Sequence, residues 1–342
     1  MGSANLLLGI GGGQPLEPST AIAVATSLTP FVTVYPWSPS GYGTKYADPG
    51  TAVAGEGNGV AFSPSANAIA IAHAVTPRIT AYPWSSGGFG SKYANPSTTI
   101  PGTANGVTFS PDGTAIAVAH TTSPYITVYV WSSGFGSKYA NPATLPPATP
   151  SAVAFSPNGS AIAMATSNSP RLAAYPWSAG FGTKYADPST LPTNIARAVA
   201  FSPSGGAIVF AHSTSPFASA YPWSGSGFGT KYADPSSALA GTGYGVSFSP
   251  SGLDIVISLG VTPFVSAYTW SSGFGTKYAD PSTISSAIGT GVSFSASGAS
   301  VAISHEASPY VLAYPWSSGF GTKYADPSTL PSSAAGSVAF SQ

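Results

Sequence analysis

An all-β chain is predicted by three observations. First, 40 Gly and 33 Pro stand among 342 residues of which 43% are apolar, so dense turns surround a large apolar complement; that combination favours strands over helices. Second, the chain repeats at a fixed spacing: Trp37, Trp84, Trp131, Trp177, Trp223, Trp270 and Trp316 recur every 46 or 47 residues. The seven lysines, Lys45, Lys92, Lys138, Lys184, Lys231, Lys277 and Lys323, keep the same period, and so do Phe62, Phe109, Phe155, Phe201, Phe248, Phe294 and Phe340, each followed by Ser. Third, each period divides into four segments of strand length bounded by turn residues.

The unit around Trp131 shows the four segments in order. "GVTFS", Gly106 to Ser110, alternates and ends in "PDG", where Pro111 presets φ and Gly113 accepts a left-handed conformation. "TAIAVAH" follows as a second strand, "TTSP" as a second turn, and "YITVYVW", rich in β-branched and aromatic residues, as a third strand. After "SSG" comes "FGSKYANP", shorter and more polar. Four antiparallel strands per period, seven times over, is the arithmetic of a seven-bladed β-propeller, a single domain spanning residues 1–342.

The first unit is short of one strand. Aligned on "AIAVAT", residues Gly13 to Glu17 read "GQPLE" where the other units carry an inner strand such as "VAFSP". The surplus copy is at the other end: "SVAFSQ", Ser337 to Gln342, has the inner-strand pattern with no unit after it. The first blade is therefore expected to combine residues from about 20 to 48 with 337–342, closed by the C-terminal strand. Such closure pairs the two edges that an open ring would leave bare.

"VTFSPDGTAIAVAH" followed by "ITVYVW" resembles the WD-repeat and YVTN-type propellers, whose units read as an apolar strand, S-P-D-G, a second apolar strand and a third ending in Trp. The resemblance covers essentially the whole chain and implies the fold; it implies no particular function. The chain departs from the WD pattern in having Ser after each Trp and no Gly-His pair before each first strand. Near-identical units such as "GFGTKYADPSTLP" also resemble repeat proteins of tailed bacteriophages and environmental viruses. That likeness implies a virion component: a tail, fibre or capsid-surface protein, located on a particle or outside the cell.

Charge excludes some classes of partner. Ten basic and ten acidic side chains make up 6% of the residues, so electrostatic attraction to nucleic acid or an anionic membrane is not expected. Without Cys there is no disulfide frame, thiolate nucleophile or Cys-based zinc site. No run of 18 apolar residues exists, and "MGSANLLLGIGGG" lacks a basic region and a cleavage signature, so neither a membrane span nor a standard signal peptide is expected.

The recurrent residues differ in the chemistry they offer from one register to the next. Trp and the aromatic of "GFG" (Tyr42, Phe89, Phe135, Phe181, Phe228, Phe274, Phe320) read as packing between blades, and Pro before Trp in five units places Trp near a strand end. Lys and Asp or Asn recur as K-Y-A-D or K-Y-A-N; the exchange of Asp for Asn at Asn95 and Asn141 predicts a turn cap made by the side-chain oxygen. His73, His120, His212 and His305 share one position at the end of the second strand, too far apart in a ring of blades to hold a metal, so no metal site and no cofactor are expected. The position after the S/T-P turn is different: Phe31, Arg78, Tyr125, Arg171, Phe217, Phe264 and Tyr310 are five aromatics and two of the three arginines. They should lie on the face that also carries the variable loops feeding each inner strand. Aromatics and Arg are the anchors that interfaces use, so this face is the candidate partner-binding surface, for a protein or a glycan.

Three functions are compatible with the pattern. A non-enzymatic interaction or structural scaffold fits best, because no G-x-S-x-G elbow, P-loop or H-E-x-x-H motif is present. A lectin is the alternative, since near-identical blades would give near-identical sugar pockets and avidity by repetition. For an enzyme, the resemblance to propeller hydrolases and lactonases implies acidic or His side chains that break the repeat at the mouth of the central channel, whereas Glu17, Glu56, Asp254 and Glu306 are scattered along the chain.

Overall fold

The structure, a computed structural model, describes residues 20–284 and 286–341; Gly13 to Glu17, expected to lack a strand, and Gln342 lie outside the described residues. It is all-β, with seven blades of four antiparallel strands around a channel. Blade 2 shows the order from channel to rim: Gly57–Phe62 inside, then Ala68–His73, Ile79–Ser85 and Gly88–Phe89. Blade 1 takes its inner strand from the C-terminus: Ala335–Phe340 pairs antiparallel with Thr20–Thr26, with Ile22 opposite Phe340 and Val24 opposite Val338. Ser341 extends the seam, its N–H donating to Ala21 O and its hydroxyl accepting from Ala21 N–H, both at 2.8 Å.

The second strand explains the apolar wording of the repeat. In "AIAIAH" every residue is buried, so the alternation is small with large rather than polar with apolar. Ile69 and Ile71 face blade 1, where they meet Ala21, Ala23 and Ala25. Ala68, Ala70 and Ala72 face blade 3, where they meet Ile116 and Val118. From blade 1 to blade 5 each interface sets a row of alanines on one sheet against the larger apolar side chains of the next, which lets twisted sheets approach closely without voids.

Aromatic residues hold the wedge further out. Trp84 makes edge-to-face contacts with Phe62 and Phe89 of its own blade and with Tyr46 of blade 1, ring centroids 5.0–5.5 Å apart. All seven tryptophans are buried in this way, as the sequence predicts. A second clasp was not legible beforehand. The tyrosine two residues before each Trp donates its hydroxyl to a carbonyl in the loop arriving from the preceding blade, as Tyr82 does to Thr51 O at 2.7 Å and Tyr129 to Thr98 O at 2.6 Å. Tyr35 makes the same bond to Thr329 O, so the clasp also crosses the seam.

The residue before Trp sets the length of the outer strand. Val130 and Thr269 replace proline in blades 3 and 6, and those blades have four-residue outer strands, Phe135–Lys138 and Phe274–Lys277. Where Pro stands, the outer strand is two residues, as in Gly88–Phe89, or a single pair, Trp177 with Phe181 and Trp316 with Phe320. Proline has no N–H to continue the ladder, so pairing stops beside it.

Candidate functional site

Two surfaces at one end of the ring carry the chemistry. The S/T-P turns lie against the feeding loops, joined by backbone bonds such as Thr121 N–H to Thr103 O at 3.0 Å and Ser27 N–H to Ala334 O at 3.1 Å. They form one loop face. The seven predicted partner-binding residues sit there as a ring, each with a left-handed φ between 64° and 70°, each partly buried. Their carbonyls accept the last N–H of the second strand, as Phe31 O does from Thr26. Phe31, Phe217 and Tyr310 pack on the apolar clusters between blades. Arg78 and Arg171 donate Nη1 to Ile100 O at 2.8 Å and Pro192 O at 3.4 Å. Three residues before these anchors the turns rise further: Leu28, Val75 and Val261 are 45–60% exposed.

The mouth of the channel opens on the same face. Each inner strand begins with a β-bulge, a register slip of one residue between, for example, Gly57 and Gly59 or Ala196 and Ala198. A bulge re-aims the unpaired side chain. Here the unpaired residues are Asn58, Asn105, Ser151, Arg197, Tyr244, Thr290 and Gly336, and all seven line one cavity of about 200 Å³. Six residue types at seven equivalent positions make this the point where the repeat breaks. The next-but-one residue is Val in every blade, from Val60 to Val338. Arg197 lies over the Tyr244 ring, 4.6 Å from its centroid, a cation–π contact. Asn58 and Asn105 donate their amide N–H to Ala104 O and Pro150 O, at 2.8 and 2.9 Å, stitching adjacent inner strands. The opposite mouth is different. A cavity of about 410 Å³ there is lined by Ser, Phe, Pro and Ala and carries no charge.

The other polar registers are structural. His73, His120 and His212 are fully buried with Nε2 on Thr80, Thr127 and Ser219 at 3.0 Å; in blade 7 Leu312 replaces that hydroxyl beside His305. Burial holds all four imidazoles at a pKa of about 4, so they are neutral at pH 7. Each imidazole stays in its own blade, and among the described residues no three His, Asp or Glu side chains converge. The Asp and Asn of K-Y-A-D/N act through their oxygen, as expected, yet the donor is the lysine three residues earlier, not a turn N–H: Lys45 binds Asp48, Lys92 binds Asn95 and Lys138 binds Asn141. A flexible ammonium reaches that oxygen before the backbone does. Of the scattered acids, Glu56 and Glu306 are exposed on the loop face and Glu17 lies outside the described residues. Asp254 is a clamp between blades 6 and 7, accepting from Tyr278 Oη at 2.6 Å and Trp316 Nε1 at 3.2 Å.

The bulge ring was missed by reading motifs, although a signal was present. In the frame x-x-V-x-F-S the first residue reads Asn, Asn, Ser, Arg, Tyr, Thr and Gly while its surroundings barely change.

The architecture defines a seven-bladed propeller with its variable loops and a polar channel mouth at one end. No family model and no curated protein matches the chain. Solved structures share the fold. A candidate 6-phosphogluconolactonase from Bacteroides uniformis superposes with a TM-score of 0.68 at 13% identity, covering 95% of this chain and 100% of that one. A candidate 6-phosphogluconolactonase from Bacteroides fragilis gives 0.73 at 12%, covering 95% and 98%. A Lactobacillus plantarum protein gives 0.73 at 13%, covering 95% and 100%. At such identities the likeness extends to the fold alone and carries no activity in either direction. No helix among the described residues is long and apolar enough to cross a membrane.

Proposed function

We propose that the protein is a non-catalytic binding scaffold that presents its loop face to a macromolecular partner. One observation carries this reading. Of seven large apolar side chains that are well exposed among the described residues, six (Leu28, Val75, Leu145, Val261, Ile284 and Leu330) lie on the turns and feeding loops of that face, and only Leu253 lies at the other end. Apolar exposure concentrated on one surface is the mark of an interaction site. The ring of Phe31, Arg78, Tyr125, Arg171, Phe217, Phe264 and Tyr310 beneath those tips is half-buried support that fixes the turns, and contributes aromatic area at their bases. The setting we assign is a viral particle surface or the extracellular space. Its support is the near-identical repeat wording and a chain free of Cys.

The test uses binding of the labelled protein to particles and cell surfaces of its native source. Leu28→Ser, Val75→Ser and Val261→Ser combined should abolish retention, while Leu253→Ser leaves it intact. Undiminished retention of the triple variant would sink the face assignment. Signal on a glycan array that the triple variant loses would identify the partner as a sugar.

A further inference from the structure

Arg197 has no counterpart in the other blades and, among the described residues, no anionic partner. Five lysines bind Asp, two bind Asn, and Arg78 and Arg171 bind main-chain carbonyls. Among the described residues, Arg197 is the one cation with no hydrogen-bonded oxygen. Its Nε is buried without an acceptor, as are those of Arg78 and Arg171, and its guanidinium lies over the Tyr244 ring. Among the described residues, no Asp or Glu lines the cavity. A half-buried guanidinium in a channel, with its Nε out of water and no acceptor, has hydrogen-bonding capacity that a ligand from outside can use. Its planar fork suits a carboxylate, which can accept two parallel N–H bonds.

The rest of the ring specifies what the carboxylate should be attached to. Asn58 and Asn105 must direct their NH2 groups at the carbonyls of the next blade, since only nitrogen can donate there. Their Oδ1 atoms are left as acceptors without a protein donor. Ser151 adds a hydroxyl with no bond to the protein, whereas Thr290 spends its hydrogen on Ala335 O at 2.5 Å. Blade 2 lies across the ring from blade 5, so the acceptor of Asn58 and the fork of Arg197 face opposite sides of one cavity. Its volume, about 200 Å³, is below the roughly 300 Å³ at which drug-sized pockets begin.

We infer that the channel mouth binds one small hydroxy acid, a carboxylate-bearing polyol of the size of a uronic-acid sugar. The carboxylate sits on the Arg197 fork braced by Tyr244, and the ligand's hydroxyls donate to Asn58 and Asn105. There is one such site per chain because only blade 5 carries the arginine.

Calorimetric titration of the intact protein with glucuronate, glucose and inorganic phosphate tests this. Saturable glucuronate binding, on the order of millimolar, is expected, with none for glucose. Arg197→Gln should weaken it about tenfold or more, the usual loss for a charge-assisted pair. Asn58→Leu should weaken it by a smaller factor, and Arg171→Gln, at a turn outside the cavity, should leave it unchanged. Thermal melting establishes that each variant is folded, and Asn58→Leu carries the test if Arg197→Gln is not. Absence of glucuronate saturation, saturation by phosphate alone, or a folded Arg197→Gln protein that binds as tightly as the parent would each overturn the assignment. The Leu28, Val75 and Val261 variant should retain glucuronate, so failure here is distinct from failure of the loop-face reading.

Discussion

Between any two blades the side chains repeat, and around the channel mouth they do not. Trp84 meets Tyr46, Phe62 and Phe89, and every other Trp meets the same kinds of partner. Arg197 and Gly336 occupy equivalent bulges and have nothing in common. The wedge side chains must each complement a copy of the same surface, so one altered blade would disturb two interfaces. A bulge residue faces an open channel and meets its neighbour at most through a main-chain carbonyl, as Asn58, Asn105 and Thr290 do, or, for Arg197, through the Tyr244 ring, so its side chain need not complement a copy of one fixed surface. Repetition therefore reports packing here, and its interruption reports contact with something other than a blade.

One truncation and three substitutions would break or sharpen that contrast. Ending the chain at Ala334 removes the inner strand of blade 1 and opens the seam; the product should lose its cooperative thermal transition altogether, and a melting curve matching the parent would contradict the closed ring. Trp131→Ala, in the wedge, should lose about 3–5 kcal/mol in denaturant titration through the cavity it leaves. His73→Thr tests a buried wedge residue through pH, with the Thr that blades 1 and 4 already use at Thr26 and Thr166. Burial lowers the His73 pKa to about 4 from 6.5. Between those values the unfolded chain takes up a proton that the folded one refuses, so stability falls as pH drops from 6.5 towards 4 and is unaffected by this group above 6.5. The loss approaches on the order of 3 kcal/mol, and urea midpoints at pH 7.5 and 4.5 should lie closer together in the variant. The smallest effect belongs to the ring: Ser151→Asn, copying blade 3 into blade 4, should change stability by no more than about 0.5 kcal/mol. A cost equal to that of Trp131→Ala would erase the distinction between the two regions.

The fold was legible because its signals are long and redundant. Seven Trp, seven Lys and seven Phe-Ser registers fix the blade count, and the orphan "SVAFS" at the C-terminus fixes the seam. The channel mouth was not legible by the same route. A bulge displaces one residue, and counting alternation cannot tell the displaced position from its neighbours. The Tyr82 clasp to Thr51 joins residues 31 apart in sequence, and the acceptor is a backbone carbonyl with no side-chain signature. The lysine bond to Asp48 or Asn95 hid behind a turn-capping explanation that uses the same oxygen. The seven S/T-P anchors could be placed on a face from topology. Their half-burial depended on loops too variable to align.

Proline ahead of tryptophan has a further consequence at the rim. In five blades the last ladder is cut to two residues or to one pair, which leaves little unpaired backbone for another chain to recruit. Blades 3 and 6, with Val130 and Thr269, keep four-residue edges. Those are the two sites at which a foreign strand would find a template, and so the places where crowded copies of this molecule would first adhere side by side.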